Sequence, residues 1–397
     1  MLIQKIKELS KGSSERIIEI RRHLHANPEL SFQEYETQKF ILAILKELKV
    51  ESIEKCADTG ISAMIRGKNP DSKTIALRAD IDGLPIHEAN QVDYKSKNDG
   101  VMHACGHDVH TSSLIGTIGI LQQLKSEFEG SIKLIFQPGE ERLPGGASIM
   151  IKEGILKNPK VESIIGQHVM PLLDAGHIGF RPGLYMASAD EIYITVKGKG
   201  GHGAHPHLTI DPIAISAQLI TGLQQIVSRK AKPAMPSVLT IGKIQGNGST
   251  NVIPNEVYME GTFRTFNEEW RMEAHELIKS TARGLVESLG GECDIEVRKG
   301  YPFLKNHEAM TNVLRKAAED FIGAENVFDL EIWPAGEDFA FYSQEIPACF
   351  YRLGIRNQDM GISSMLHTPT FNVDEKSLEI GSGLMAWLAI KELELKR

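Results

Sequence analysis

Nowhere does the sequence reach the roughly 18 uninterrupted apolar residues that a membrane-spanning helix requires. A soluble chain with no membrane partner is the expectation. The first 22 residues interleave Lys5, Lys7, Glu8, Lys11, Glu15 and Arg16 with apolar positions, so the continuous apolar stretch of an export signal is missing there. Cysteine is scarce, at 4 in 397 residues, and Cys56, Cys105, Cys293 and Cys349 stand far apart. That spacing excludes the dense disulfide framework of small secreted scaffolds and points to reduced thiols in a cytoplasmic setting. No run of Lys and Arg is long enough to serve as an electrostatic footprint for a phosphate backbone, and the formal net charge is −8. Nucleic acid is therefore not an expected partner. Internal repeats and low-complexity segments are also missing.

What is present reads as an ordinary globular chain of two domains, with 41% hydrophobic and 24% charged residues over 397 positions. Ile17, Ile18, Ile20 and Leu24, and then Phe40, Ile41, Ile44, Leu45 and Leu48, recur at helical spacing. β-rich runs follow at 61–65, 74–77, 132–136 and 163–166, with a helical pattern over 111–124, and this alternation predicts an α/β fold. From 191 to 297 the order changes to strand, helix, strand, strand, helix, strand, which predicts an inserted α+β domain of the ferredoxin-like kind. The α/β pattern returns with a helix at 310–321, a strand at 349–353 and a closing helix at about 377–393. Residues 1–185 and 301–397 are thus expected to form one discontinuous domain, and 186–300 a second.

The densest group of chemically able side chains is the run from His103 through Cys105, His107 and Asp108 to His110, where a thiolate donor stands two residues from an imidazole. Both suit Zn²⁺ or a similar borderline ion. Glu140 and Glu141 follow an apolar strand, at the strand end where α/β proteins place their sites. On an extended backbone neighbouring side chains diverge, so one carboxylate can bind metal while the other takes a proton from water. His168 follows another apolar strand and His367 lies in a loop before the last helix, so both could reach a common rim.

In combination these segments resemble the dinuclear-metal family of aminoacylases, carboxypeptidases and acyl-amino-acid amidohydrolases, and most closely the branch with hippurate and auxin-conjugate hydrolases. The resemblance spans nearly the whole chain. It implies a metallopeptidase-type catalytic domain with an inserted lid and dimerisation domain. It further implies Cys105, His107, Glu141, His168 and His367 as ligands to two divalent metal ions, Zn or Mn first and Co or Ni next, and Glu140 as general base. In the segment 77–85 Asp80 stands where the broader family has a metal-binding His, and Asp82 matches the residue that orients a ligand. His202 matches a lid residue that donates to the substrate carbonyl, and Asn251 and Arg264 match substrate-contacting lid positions. The implied reaction is hydrolysis of N-acyl amino acids by a cytoplasmic homodimer. A dipeptidase or carboxypeptidase using the same site, and a catalytically silent ligand-binding homologue, are the alternatives.

Overall fold

The computed structural model describes residues 1–395 and divides into two compact units. The first comprises Met1–Tyr185, Lys305–Ile332 and Phe341–Arg397; the second comprises Met186–Leu304 and Trp333–Ala340. The short return of Trp333–Ala340 to the second unit has no counterpart in the sequence pattern. It is held there by a parallel bridge between Met186 and Trp333 and by Ala187 N donating to Trp333 O (3.3 Å).

In the first unit, helices α1 (Leu2–Ala26) and α2 (Tyr35–Glu47) precede strands β1 (Glu51–Cys56), β2 (Gly60–Arg66) and β3 (Thr74–Asp80). Helix α3 (His107–Gln123) and strands β4 (Ser131–Gln137), β5 (Ser163–Asp174) and β6 (Ile178–Phe180) follow. With strands Val327–Asp329 and Ala348–Arg356 they make an eight-stranded sheet of order β1-β2-β4-β3-β5, then Ala348–Arg356, β6 and Val327–Asp329. Strand β4 runs parallel to β3, β3 parallel to β5, and β5 parallel to strand Ala348–Arg356. Every residue of β3 and β4 is buried, as expected of parallel strands covered on both faces. Helices α1, α3 and Ser377–Glu394 pack on one another, and Ile17, Ile20, Leu24, Leu114, Ile118 and Leu388 join the main core. Because β3, β4 and β5 run in parallel, the segments that leave β3 and β4 at their C-terminal ends emerge at the same edge.

The helical pattern starts four residues earlier than the apolar spacing alone indicates. Gly106, at φ 80°, lets the chain turn into α3 at His107, and a Cβ there would meet Val169 Cγ2 at 2.6 Å. The first turn is then anchored by Asp108, which accepts from Arg21 Nε (2.7 Å) and pairs with His25 Nδ1 (2.8 Å), all three fully buried.

The second unit carries an antiparallel four-stranded sheet of order Ser237–Gln245, Glu256–Thr265, Asp190–Lys197, Glu292–Arg298. In chain order this is second, third, first, fourth, so the expected βαββαβ arrangement is observed. Strand Asp190–Lys197 alternates buried and part-exposed positions, and its inward residues pack with Leu219 and Ile278 of helices Pro212–Gln225 and Glu268–Ser288.

At the start of strand Asp190–Lys197, Asp190 accepts from Arg271 Nε (2.9 Å) and Nη2 (2.5 Å) and from Gly300 N (3.0 Å), and pairs with His275 Nε2 (2.8 Å). Burial alone would raise the Asp190 carboxyl, but His275 and Arg271 outweigh it and hold it below its ordinary value. Its folded value is therefore depressed, so its stabilisation is present above the unfolded value of about 4 and is lost as pH falls through the folded one. Asp190→Ala leaves Arg271 Nε and His275 Nε2 without their buried acceptor, while Glu268 still pairs with Arg271 Nη1 (3.0 Å), and is expected to cost about 2–3 kcal/mol, with a shallower acid limb, in urea unfolding at several pH values. A loss below about 1 kcal/mol, the scale of a surface pair, would contradict this.

Candidate metal centre

Three elements of the first unit converge on Cys105. The thiol precedes α3 and is 6% exposed. His168 Nε2 lies 3.5 Å from its Sγ and His367 Nε2 lies 3.3 Å from it. His367 Nε2 is also 3.2 Å from Glu141 Oε1. Two sets of donors, Cys105 with His107 and His168, and Cys105 with Glu141 and His367, each fall within 4.8 Å of one another. The thiol is common to both.

Each histidine is held in a definite orientation. His168 Nδ1 donates to the carbonyl of Val169 (2.8 Å), which leaves the Nε2 lone pair facing the thiol. Burial first, then the charges of Arg352 and His110, hold His168 well below the usual imidazole range, so it stays neutral. His107 Nδ1 is held by Asp82 Oδ1 at 3.1 Å. Its Nε2 is 3.7 Å from Asp80, 4.0 Å from Glu140 and 3.9 Å from Glu141, and has no hydrogen-bond partner among the described residues. His367 adopts φ 60°, and its N–H donates to Ala104 O (2.8 Å), which ties the loop to the segment that carries the thiol.

The donor set fits a divalent cation. Among the described residues His107 Nε2 is buried without a hydrogen-bond partner and shares one acidic space with Glu140 and Glu141, a costly arrangement unless a positive ion neutralises it. Burial would lower His107, yet Asp80, Asp82 and Glu141 push it up to about 10. Burial and the negative charges of Glu141, Glu140 and Asp80 push the Cys105 thiol well above its ordinary value. The two shifts share one origin, an excess of carboxylate around a buried space, and a divalent ion reverses that logic by deprotonating the thiol.

Some sequence-based placements need correction. His168 lies inside β5, which continues to Asp174, past the expected 163–166 run, and stays paired with Ala348–Arg356. Glu140 and Glu141 occupy a turn after β4 rather than extended backbone, so the turn sets their divergence. Asp80, which stands where the broader family has a metal-binding His and is not itself an expected ligand, accepts from Arg78 Nη1 (2.6 Å) and His110 Nδ1 (2.6 Å). His110 Nε2 in turn accepts from Val169 N (2.9 Å), so α3 is tied to β5 beside His168. That role was missed, although the i,i+3 spacing of His107 and His110 places both on one helix face.

His202, Asn251 and Arg264 belong to the second unit. The two-residue strands Gly201–His202 and Val252–Ile253 pair with His202 opposite Val252, and Gly203 N donates to Asn251 O (2.8 Å), so His202 and Asn251 share one ribbon. Arg264 lies in strand Glu256–Thr265, half-buried, with Nη1 donating to Pro334 O at 3.3 Å. Among the described residues no helix is long and apolar enough to cross a membrane.

The chain is 41% identical over 380 residues to an N-acetylcysteine deacetylase of Bacillus subtilis, covering 96% of this chain and 97% of that one. It is 37% identical over 393 residues to thermostable carboxypeptidase 2 of Saccharolobus solfataricus, covering 98% of each. The crystal structure of the Bacillus subtilis YXEP protein, a dinuclear metal binding peptidase, superposes with a TM-score of 0.82 at 38% identity, covering 97% of this chain and 99% of that one. Residues 76–391, which carry all of the donors around Cys105, match the model of peptidase family M20/M25/M40, and the chain belongs to that family.

Proposed function

We propose that the protein is a metal-dependent amidohydrolase that cleaves the amide bond of N-acyl amino acids, releasing a carboxylate and the free amino acid. The observation that carries this reading is the shared thiol: Cys105 joins His107, His168, Glu141 and His367 into two overlapping donor sets with Glu140 beside them. The similarity to an N-acetylcysteine deacetylase supports the substrate class. We assign these five residues as ligands of two divalent ions, Zn²⁺ or Mn²⁺ first and Co²⁺ or Ni²⁺ next, a donor set to which all four are suited. When bound, such ions polarise the scissile carbonyl and lower the pKa of water.

The chain's own residues then divide the work. Glu140 takes a proton from the attacking water as the new C–O bond forms, and returns it to the amide nitrogen as the C–N bond breaks. Asp82 fixes the ring of His107 through Nδ1. From the second unit we assign His202 as donor to the carbonyl oxygen and Asn251 as a substrate contact. Arg264, whose one described hydrogen bond is to a backbone carbonyl, is assigned to the amino-acid carboxylate. We also assign self-association to this unit, since its edge strand Ser237–Gln245 leaves Val238 and Ile244 exposed. A solution mass of one 43.9 kDa chain at assay concentration overturns that assignment.

The similarity to a carboxypeptidase favours a second reading, cleavage of peptides at the same centre. Comparison of N-acetyl amino acids, their carboxamides and dipeptides separates the two. The first reading predicts that blocking the α-carboxylate, or Arg264→Met, costs roughly 2–5 kcal/mol in kcat/KM, as loss of a charged pair does. Faster turnover of dipeptides than of N-acetyl amino acids favours the second, and indifference to the carboxylate removes Arg264 from the site.

A further inference from the structure

Glu140 stands on a turn whose flanking amides are both held by buried carboxylates. Gly139 N donates to Glu34 Oε1 (2.8 Å), and Glu141 N donates to Asp82 Oδ2 (3.0 Å). Both carboxylates trace back to one short segment. Ser31 Oγ donates to Asp82 Oδ2 (2.6 Å), and Glu34 itself, fully buried, also accepts from Thr59 Oγ1 (2.6 Å) in the turn between β1 and β2. Between these two anchors Phe32 adopts φ 65° and its ring presses on Gly139, φ 59°, where an added Cβ would come within 2.4 Å of it. On the far side Gly146 N donates to Gly139 O (3.1 Å).

We propose that Glu34 is a positioning residue for the general base, acting through Gly139 N to fix the turn from which Glu140 and Glu141 diverge; this rests on Glu140 being the base of the proposed amidohydrolase. Glu34 stands at the start of α2 but makes no side-chain cap bond to that helix. Its two described side-chain bonds go instead to the turn before Glu140 and to the β1–β2 turn. The turn requires an acceptor at Gly139 N and not a charge, because a glutamine oxygen accepts there as well as a carboxylate. In keeping with this, burial and the nearby charge of Asp82 push the Glu34 carboxyl up to about 7.

The test compares Glu34→Ala, Glu34→Gln and wild type by kcat, KM, bound metal per chain and amide hydrogen exchange at residues 139–141. Misplacement of the base is expected to lower kcat of Glu34→Ala about 100-fold, with KM within about threefold and metal content unchanged. Glu34→Gln is expected to recover most of kcat, and exchange at 139–141 to quicken only in the alanine variant. A folded Glu34→Ala protein with kcat within about threefold of wild type, or one whose loss is matched by lost metal, overturns the proposal. If the wild type cleaves no N-acyl amino acid, the amidohydrolase reading fails. The exchange rates then decide on the bracket alone, and unchanged rates in Glu34→Ala sink it.

Discussion

Glu140→Gln is expected to leave a folded, metal-binding protein whose turnover of N-acyl amino acids falls by about 10²- to 10⁴-fold, the range general acid–base catalysis supplies. The substitution keeps shape and hydrogen-bonding capacity but removes the atom that accepts the proton from water. Glu140 Oε2 is 4.0 Å from His107 Nε2, whereas Glu141 Oε1 is 3.2 Å from His367 Nε2 and within the cluster that includes the thiol. With Glu140 proposed as the base and Glu141 as a ligand, the two neighbours have separable signatures. Loss of Glu140 lowers kcat and spares metal content, and loss of Glu141 lowers both. Steady-state kinetics with elemental analysis of the same samples reads the difference, and a Glu140→Gln protein that turns over normally would falsify its role as base.

Cys105→Ala is expected to be nearly as damaging by a different route. Because Cys105 belongs to both donor sets, removing the thiol weakens both positions at once. The bound metal should fall below two ions per chain, and activity should fall by more than the about 10- to 100-fold that loss of an orienting partner costs. Asp82→Asn provides that reference, since Asp82 touches His107 through Nδ1 and the Glu141 amide but offers no atom to the thiol clusters. Equal metal content and activity in Cys105→Ala and wild type would remove the thiol from the centre.

The sequence shows the site's donors more readily than their supports, for a physical reason. Cys105, His107, Glu141, His168 and His367 are residue types whose chemistry is visible one at a time, and each stands beside an apolar run or loop that marks its strand, helix or turn. Glu34, Ser31 and His110 carry no such mark. Glu34 lies in a polar stretch with no apolar periodicity to mark it, yet it is fully buried, with its carboxylate held by Thr59 Oγ1 and Gly139 N. The reach of β5 past His168 was hidden because Gln167 and His168 interrupt its apolar run, which Val169 and Met170 resume while still paired with Ala348–Arg356. In the second unit, alternation and helical spacing sufficed, since one sheet face is buried and the other is not. The return of Trp333–Ala340 depends on a bridge to Met186 far away in the chain, which no local pattern encodes.

The central claim is most directly tested by titrating metal-free protein with Zn²⁺ or Mn²⁺ while following release of free cysteine from N-acetylcysteine, with Glu140→Gln alongside. The predicted result is no release without metal, activity that rises until about two equivalents are bound, and no comparable rise in the variant. Full activity in the metal-free protein, or equal activity in wild type and variant at saturating metal, would contradict it.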